Sequence, residues 1–238
     1  MNLARRLTGE LVGTALLLAA VVGSGIMGER LSGGNVGLAL LANTVATGAT
    51  LTALIFTFGA VSGAHFNPAV TLADASQGGM RGREAAGYVA AQAGGAMLGV
   101  WAAHLMFAAP VFQVSVHARA GGAQLFSEFV ATFGLLSVIW GCGRLRTEAV
   151  PFAVGLYITG AYWFTASTSF ANPAVTLARA FTNTFAGIRP ADVPGFVAAQ
   201  AAGAMAATLV FRWLAPPSAK QARDVVVPRS ERAAPYGG

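Results

Sequence analysis

A six-residue string that occurs twice constrains the fold of this chain more than any other feature. Residues 67–72 and residues 172–177 both read Asn-Pro-Ala-Val-Thr-Leu, and an alanine follows each copy. Asparagine is a good N-cap, and proline is favoured at the first helical position because its missing N–H has no intrahelical partner there. Each copy is therefore predicted to begin a helix. Small and polar residues precede both copies, at 61–66 and 165–170, so irregular backbone should lead into each helix.

The composition places these two helices in a membrane protein. Hydrophobic residues make up 55% of the 238 positions and charged residues 10%, whereas soluble domains carry about 25% charged residues. Mean hydropathy is +0.61. Within a bilayer, irregular backbone is tolerated only around a protein-lined cavity, so the two short helices should border one. The net charge of +6 does not indicate nucleic acid binding, because the basic residues lie in short loops and a tail between apolar runs.

Long apolar segments surround the two short helices. A membrane-spanning helix needs about 20 mostly apolar residues to cross about 30 Å of hydrocarbon. The predicted fold class is therefore an all-α membrane protein with six spans and two half-helices. The spans are predicted at 7–28, 36–59, 84–107, 124–144, 150–168 and 193–214, and the short helices at 67–77 and 172–182.

The chain is predicted to consist of two related halves. Residues 10–25 resemble residues 128–143, and residues 87–97 resemble residues 195–205. With the two Asn-Pro-Ala strings, the three pairs are offset by 118, 108 and 105 residues and keep their order. Each half contains three full spans, an odd number, so the second half must be inserted upside down relative to the first. In such an inverted repeat the functional site is expected near the midplane.

The repeat and the basic residues set the domain boundaries and the orientation. One membrane domain is predicted over residues 1–214, with halves at about 1–110 and 124–214, and residues 215–238 are predicted to be a disordered tail because they are Pro-rich, polar and basic. Eleven of the 15 Lys and Arg residues fall on one side of the predicted membrane. The positive-inside rule therefore places both termini in the cytoplasm.

The predicted half-helices define a candidate pore. If both begin at the midplane, their positive dipole ends face each other, and Asn67 and Asn172 cap them with amide hydrogens left to donate to a passing molecule. A neutral solute would be accepted there, whereas a cation would meet a positive potential. Residues of the irregular segments are expected to line the same path with their carbonyl oxygens, namely Gly63, Ala64, His65, Thr168 and Phe170.

Four polar side chains within the membrane are predicted to brace this pore. Glu10 and Glu128 occupy corresponding positions in the two halves, and intramembrane carboxylates are by default functional suspects. One glutamate in each half is expected if each accepts hydrogen bonds from the backbone N–H groups of its irregular segment. Coupling of transport to an ion would not need a symmetric pair of carboxylates, so bracing is the preferred interpretation. Gln92 and Gln200 are predicted to form interhelical hydrogen bonds.

Two further side chains leave alternatives open. His65 could sense pH or line the pore, and lining is the preferred interpretation. Arg179 follows Val175 by one helical turn, so it could reach the outer vestibule or stabilise the C-terminus of its short helix. The sequence contains no metal-ligand spacing and no nucleophile–base pair. Neither a metal, a cofactor nor an enzymatic activity is therefore predicted.

These features resemble the aquaporin, or major intrinsic protein, family. The resemblance rests on the paired Asn-Pro-Ala strings, on SGAHFNPAV at residues 62–70, on a Glu in the first and fourth spans, and on the inverted repeat, and it covers about residues 7–214. The family implies a right-handed helical bundle that assembles as a homotetramer and passes water or small uncharged solutes without a cofactor. For a bacterial member it implies the inner membrane. The pore motifs it assigns are Asn67, Pro68, Ala69, Asn172, Pro173 and Ala174.

The sequence departs from the family at the outer mouth. Most members carry an arginine directly after the second Asn-Pro-Ala, where this chain has Val175, and glycerol-conducting relatives usually add an Asp where this chain has Thr176. A bacterial subgroup with Val at the arginine position is associated with arsenic-resistance operons. The family's four-residue constriction, carried over by spacing from the motifs, corresponds to Thr47, Gly160, Ser169 and Val175. Because all four residues are small or short and none is charged, a wide mouth is expected.

The predicted function is a passive channel for small neutral solutes: glycerol-like polyols, metalloid acids or methylated arsenicals, together with water. A water-selective channel is the first alternative. An ion-coupled secondary transporter also uses inverted repeats and broken helices, but the asparagines at the midplane cannot titrate. A membrane scaffold would leave the pore occluded, which small constriction residues disfavour. The expected partners are solutes, lipid and further copies of the chain, with no nucleic acid.

Overall fold

The computed structural model describes residues 1–216 of the chain. The predicted tail therefore lies outside the described residues from position 217 onward. Short 3-10 turns at Thr147–Ala149 and Pro190–Asp192 precede the sixth and eighth helices. The α-helices are α1 (Leu3–Leu31), α2 (Val36–Ser62), α3 (Pro68–Ser76), α4 (Gly82–Met106), α5 (Gly122–Leu145), α6 (Val150–Phe164), α7 (Pro173–Arg179) and α8 (Val193–Leu214).

The eight helices are those that the sequence predicts, with one span shorter than expected. Within residues 1–216, five helices are long and apolar enough to cross a bilayer. The exception is α6, which has 15 residues and ends at Phe164 instead of residue 168. Its length is therefore about 22 Å. The helix ends where Thr165 adopts an extended backbone conformation, and the backbone is left-handed at Thr168 and Ser169. The Thr165 hydroxyl donates to the Ala161 carbonyl at 2.6 Å.

The two halves of the chain pack in the same way. In the first half α1 lies along α4 and α2, in the second half α5 lies along α8 and α6, and contacts between α2 and α6 join the halves. Glycines permit these close approaches: a Cβ on Gly95 would lie 2.2 Å from the Leu11 carbonyl oxygen, and one on Gly203 would lie 2.4 Å from that of Phe129. Close backbone approach is the main source of helix cohesion in lipid. Gly95 of α4 and Gly203 of α8 therefore allow the close helix packing that stabilises each half.

Candidate functional site

The short helices α3 and α7 meet at their N-terminal ends, where the repeated asparagines join them. The side-chain oxygen of Asn67 and that of Asn172 each accept a hydrogen bond from the backbone N–H two residues further on, at 2.9 and 3.0 Å. Each amide nitrogen donates across the junction, from Asn67 to the Ala171 carbonyl and from Asn172 to the Phe66 carbonyl, both at 2.8 Å. An amide nitrogen carries two N–H groups. Each asparagine therefore keeps one N–H for a solute.

The chain reaches each asparagine through four residues of irregular backbone, the inner connector (residues 63–66) and the outer connector (residues 168–171). At the first, second and fourth positions φ is 91°, 50° and 48° in the inner connector and 60°, 51° and 48° in the outer connector. A left-handed conformation costs about 1–2 kcal/mol for each non-glycine residue. Such a stretch persists only where its surroundings impose it.

Glu10 of α1 imposes the shape of the inner connector. Its carboxylate is fully buried and accepts the backbone N–H groups of His65 and Phe66, at 3.0 and 2.7 Å. It also accepts the hydroxyl of Ser62 at 2.6 Å and the side-chain amide of Gln92 at 2.8 Å. Hydrogen bonds to a charged acceptor contribute about 1.5–3 kcal/mol each, which is enough to offset the backbone strain.

Glu128 of α5 holds the outer connector in the equivalent way. It accepts the backbone N–H groups of Phe170 and Ala171, both at 2.9 Å, and the amide of Gln200 at 2.5 Å. The Gln200 amide also donates to the Thr176 hydroxyl at 2.8 Å, as that of Gln92 does to Thr71 at 2.9 Å. The hydrogen bonds predicted for the two glutamates and the two glutamines are thus present in the structure.

A cavity of about 60 Å³ lies between the two halves at the level of the asparagines. At roughly 10–15 Å³ for each water, it has room for roughly four to six water molecules. One side is formed by the connectors and the polar residues, and the other is an apolar wall. The wall consists of Leu17, Val21, Leu51, Ile55, Leu135, Ile139, Val154 and Ile158.

Most predicted pore residues border this cavity. Within each Asn-Pro-Ala motif, however, the asparagine faces the cavity, whereas the proline and the alanine face away from it. Among the described residues, Asn67, Asn172, Ala64, His65 and Phe170 line the cavity, whereas Gly63 and Thr168 do not. The remaining motif residues face a groove of about 640 Å³ on the far side of the half-helices, between α4 and α8. That groove is mostly apolar and is not lined by Asn67 or Asn172, so we place the site at the smaller cavity. The motif residues facing the groove are Pro68, Ala69, Pro173 and Ala174.

The predicted constriction needs one correction. Thr47, Ser169 and Val175 line the cavity, but Gly160 lies on the exposed face of α6 with no neighbouring atom within 4 Å of its Cβ position. Helical geometry is the reason: Gly160 lies two positions from Tyr162, about 200° around the helix. Tyr162 lines the cavity instead, and its hydroxyl lies 3.5 Å from the Thr47 hydroxyl.

The mouth is consequently neither as wide nor as uncharged as the sequence suggests. Tyr162 adds a large aromatic ring, and Arg179 also borders the cavity. Arg179 is 2% exposed, its Nε donates to the Ala186 carbonyl, and its guanidinium carbon lies 3.4 Å from the centre of the Phe170 ring. Sequence reasoning missed Tyr162. The spacing of Val154, Ile158 and Tyr162 at every fourth residue was the available signal for it.

His65, in the inner connector, lines the cavity. Its Nδ1 is 3.1 Å from the Thr71 hydroxyl, and its ring centre lies 5.4 Å from that of Tyr88. Both neighbours are buried. The ring thus forms part of the cavity wall.

The fold and the cavity define a class of protein: an inverted repeat in which two half-helices meet around a membrane lumen. Residues 1–148 match the family model described as major intrinsic protein. The chain is 54% identical over 234 residues to aquaglyceroporin AqpS of Rhizobium meliloti, with 98% of each chain covered. It is 30% identical over 246 residues to the probable aquaporin AqpM of Archaeoglobus fulgidus, covering 90% of this chain and 98% of that one. The chain therefore belongs to the major intrinsic protein family.

The solved structures agree with this assignment at the level of the fold. The X-ray structure of the aquaglyceroporin from Plasmodium falciparum matches with a TM-score of 0.70 at 20% sequence identity, covering 90% of this chain and 98% of that chain. The family consists of channels rather than enzymes, and the chain accordingly forms a membrane channel for small neutral solutes.

Proposed function

We propose that this channel passively conducts hydroxyl-bearing neutral solutes of the size of glycerol, including metalloid acids such as arsenous acid and methylated arsenicals, together with water. The 54% identity to an aquaglyceroporin over 98% of the chain supports the glycerol class. The arsenical part rests on the resemblance carried by Val175 and on chemistry, since arsenous acid is neutral and polyol-like near neutral pH.

The observation that carries this proposal is a set of backbone and side-chain polar groups beside the cavity that have no hydrogen-bond partner among residues 1–216. The carbonyl oxygens of Ala64, Ser169 and Phe170 accept no hydrogen bond from any of residues 1–216. Asn67 and Asn172 each keep one N–H. A hydroxyl both donates and accepts, so a polyol can exchange its hydration for these groups while its carbon side faces the apolar wall. A small neutral solute with several hydroxyls fits this pattern best.

The charges around the cavity disfavour ion conduction and coupling. The N-terminal ends of α3 and α7 carry partial positive charge toward the cavity. The intramembrane carboxylates Glu10 and Glu128 are 0% exposed, and each accepts hydrogen bonds from its connector. An ion-coupled transporter needs a midplane group that exchanges protons or binds ions, and these carboxylates are committed to structure. A passive channel is therefore the better supported mechanism.

A water-selective channel remains the second candidate, and one observation favours it. The cavity volume of about 60 Å³ is small, and Tyr162 narrows the predicted constriction. A side-chain rotation at the mouth would have to accompany the passage of a solute larger than water.

The finer features of the channel are proposals on the same basis. We place both termini in the cytoplasm and the chain in the bacterial inner membrane, from the distribution of Lys and Arg and from the family resemblance. The resemblance likewise supports a homotetramer of separately conducting subunits. We propose no catalytic step and no cofactor for it.

Stopped-flow light scattering on proteoliposomes tests the proposed function. Vesicles with and without the protein are mixed with an impermeant osmolyte, and then with glycerol, urea or neutral arsenous acid. We expect fast shrinkage followed by fast re-swelling in glycerol and arsenous acid. Fast shrinkage without re-swelling would establish the water-selective alternative. No fast phase in either condition would refute the channel.

A further inference from the structure

Arg179 is a buried cation whose hydrogen-bonding capacity the protein does not use. It is the last residue of α7 and is 2% exposed. Its Nε donates to the Ala186 carbonyl. Neither of its two Nη groups donates to any group of residues 1–216, and Nη1 is completely enclosed. In this part of the chain no carboxylate forms an ion pair with it.

Burying a guanidinium without acceptors is strongly unfavourable, so its surroundings must supply them. Arg179 borders the central cavity. Nη1 is enclosed by the protein and does not reach the cavity, so the cavity contents are the available acceptors for the two N–H groups on Nη2. The guanidinium therefore presents Nη2 to the permeation path.

The guanidinium is held in a fixed orientation. It lies over the ring of Phe170, which packs edge to face against Phe196 at a centroid distance of 5.3 Å. Arg119 lies over the same ring at 5.0 Å and is anchored by hydrogen bonds to the Gly187 and Ser167 carbonyls at 2.8 and 3.2 Å. Stacking and the Nε hydrogen bond together restrain the guanidinium plane. Such a preorganised donor loses little entropy when it binds an oxygen atom.

The contacts do not support the alternative in which Arg179 caps its own helix. Its side chain donates to Ala186, in the loop after α7, and not to a carbonyl of α7. The last carbonyls of α7 already have backbone partners: the Ala180 N–H donates to the Leu177 carbonyl at 3.1 Å, and the Ile188 N–H donates to the Arg179 carbonyl at 3.1 Å.

We propose that Arg179 is a specificity-determining residue of the outer mouth: its Nη2 group donates hydrogen bonds to the oxygen atoms of permeating neutral solutes, and its charge excludes cations. Val175, one helical turn nearer the asparagines, lines the same cavity but provides neither property. The solutes favoured are those with several oxygen acceptors, such as polyols and oxyacids in their neutral form. This inference rests on the proposed function and assigns its outer selectivity to one side chain.

The test compares Arg179→Met with the unchanged protein in proteoliposomes, measuring water, glycerol and Na⁺ permeability in the same preparation. Methionine keeps most of the length and removes charge and donors. We expect Na⁺ leak to rise roughly tenfold or more, since the charge acts at close range in a low dielectric. We expect the glycerol-to-water permeability ratio to fall roughly threefold or more, because the ordered donors are lost.

The matched control is Arg189→Ala. Arg189 is an exposed arginine of the outer loops that pairs with Asp192 at 2.9 Å and does not border the cavity. Its replacement removes one positive charge, as Arg179→Met does, but away from the cavity, so we expect both the Na⁺ leak and the glycerol-to-water ratio to stay unchanged. A leak in both variants would mean that the general surface charge, and not Arg179, excludes cations, which would overturn that part of the proposal.

The outcomes separate this inference from the proposed function. If the unchanged protein gives no fast phase, the channel itself fails. If it conducts and folded Arg179→Met matches it in all three permeabilities, Arg179 is structural and the inference is overturned. Should Arg179→Met not fold, Arg179→Lys is measured instead, since lysine keeps the charge but lacks the guanidinium donors. Retained cation exclusion with a lowered glycerol-to-water ratio supports the role of those donors, and an unchanged ratio overturns it.

Discussion

The inner connector (residues 63–66) and the outer connector (residues 168–171) have nearly the same backbone but different side chains. The φ angle at the last position is 48° in both connectors, and each connector donates two backbone N–H hydrogen bonds to one buried glutamate. Yet His65 on the inner side corresponds to Phe170 on the outer side. Farther along the half-helices, Asp74 corresponds to Arg179. The duplicated part of the site is its hydrogen-bonded scaffold, and we propose that selectivity resides in the positions where the halves differ.

The largest effect is expected from breaking the shared scaffold. Glu10→Gln replaces one acceptor oxygen with a donor that faces buried donors, and each donor left unsatisfied costs about 1–3 kcal/mol. Two such losses, about 2–6 kcal/mol in total, should lower the melting temperature in detergent by about 4–24 °C. Glu128→Gln should follow closely, since that carboxylate accepts three hydrogen bonds where Glu10 accepts four.

Glu29→Gln is the control for the scaffold prediction, because Glu29 is an exposed carboxylate on the same helix as Glu10. Thermal denaturation followed by size-exclusion chromatography measures all three variants. Equal melting temperatures for Glu10→Gln and Glu29→Gln would contradict the bracing role.

The next effect concerns the outer mouth. Val175→Arg places a second guanidinium in a cavity of about 60 Å³, and should slow glycerol more than water. A barrier increase of about 1.4 kcal/mol is enough for a tenfold reduction in glycerol permeability. Val175→Leu, which enlarges the side chain without charge, should reduce both permeabilities less. Equal loss of glycerol and water flux in stopped-flow traces of Val175→Arg would show that Val175 is not at the constriction.

The sequence predicts well the residues that occur at matching positions in both halves. It predicts poorly which face of a helix points to the cavity. Asn67 and Asn172 with their glutamate and glutamine braces could be located because each occurs twice at matching spacing. The prediction that Gly160 lies at the constriction was wrong. Counting residues back from the motif across a loop does not determine which face of α6 points to the cavity, and α6 is apolar on almost every face. The left-handed backbone at Thr168 and Ser169 could not be foreseen, since neither residue is a glycine.

A smaller effect is expected from making the inner connector resemble the outer one. His65→Phe should alter glycerol permeability modestly and to the same extent at about pH 5.5 and about pH 7.5, on either side of the ordinary histidine pKa of about 6.5. The unchanged protein should likewise show little difference between the two pH values, because the ring serves as wall. A several-fold pH response that disappears in His65→Phe would establish a pH sensor instead.

The smallest effect concerns His117, in the outer loop between α4 and α5. Partial burial, with the nearby charge of Arg119, lowers the pKa of His117 below its usual value of 6.5. The unfolded chain therefore binds a proton at a higher pH than the folded chain, and folding stability falls as the pH drops through about 6.5. Melting temperatures at about pH 7.5 and about pH 5.5 should show a slight loss that His117→Gln removes. Greater stability at the lower pH would contradict this sign.

The central claim is passive conduction of neutral solutes through a site whose carboxylates serve structure alone. The most direct test measures the final internal concentration of radiolabelled glycerol in proteoliposomes, with and without imposed H⁺ and Na⁺ gradients. The account predicts that internal glycerol reaches the external concentration and stops there, whatever the gradient. Accumulation above the external concentration, driven by either gradient, would contradict it and identify a coupled transporter.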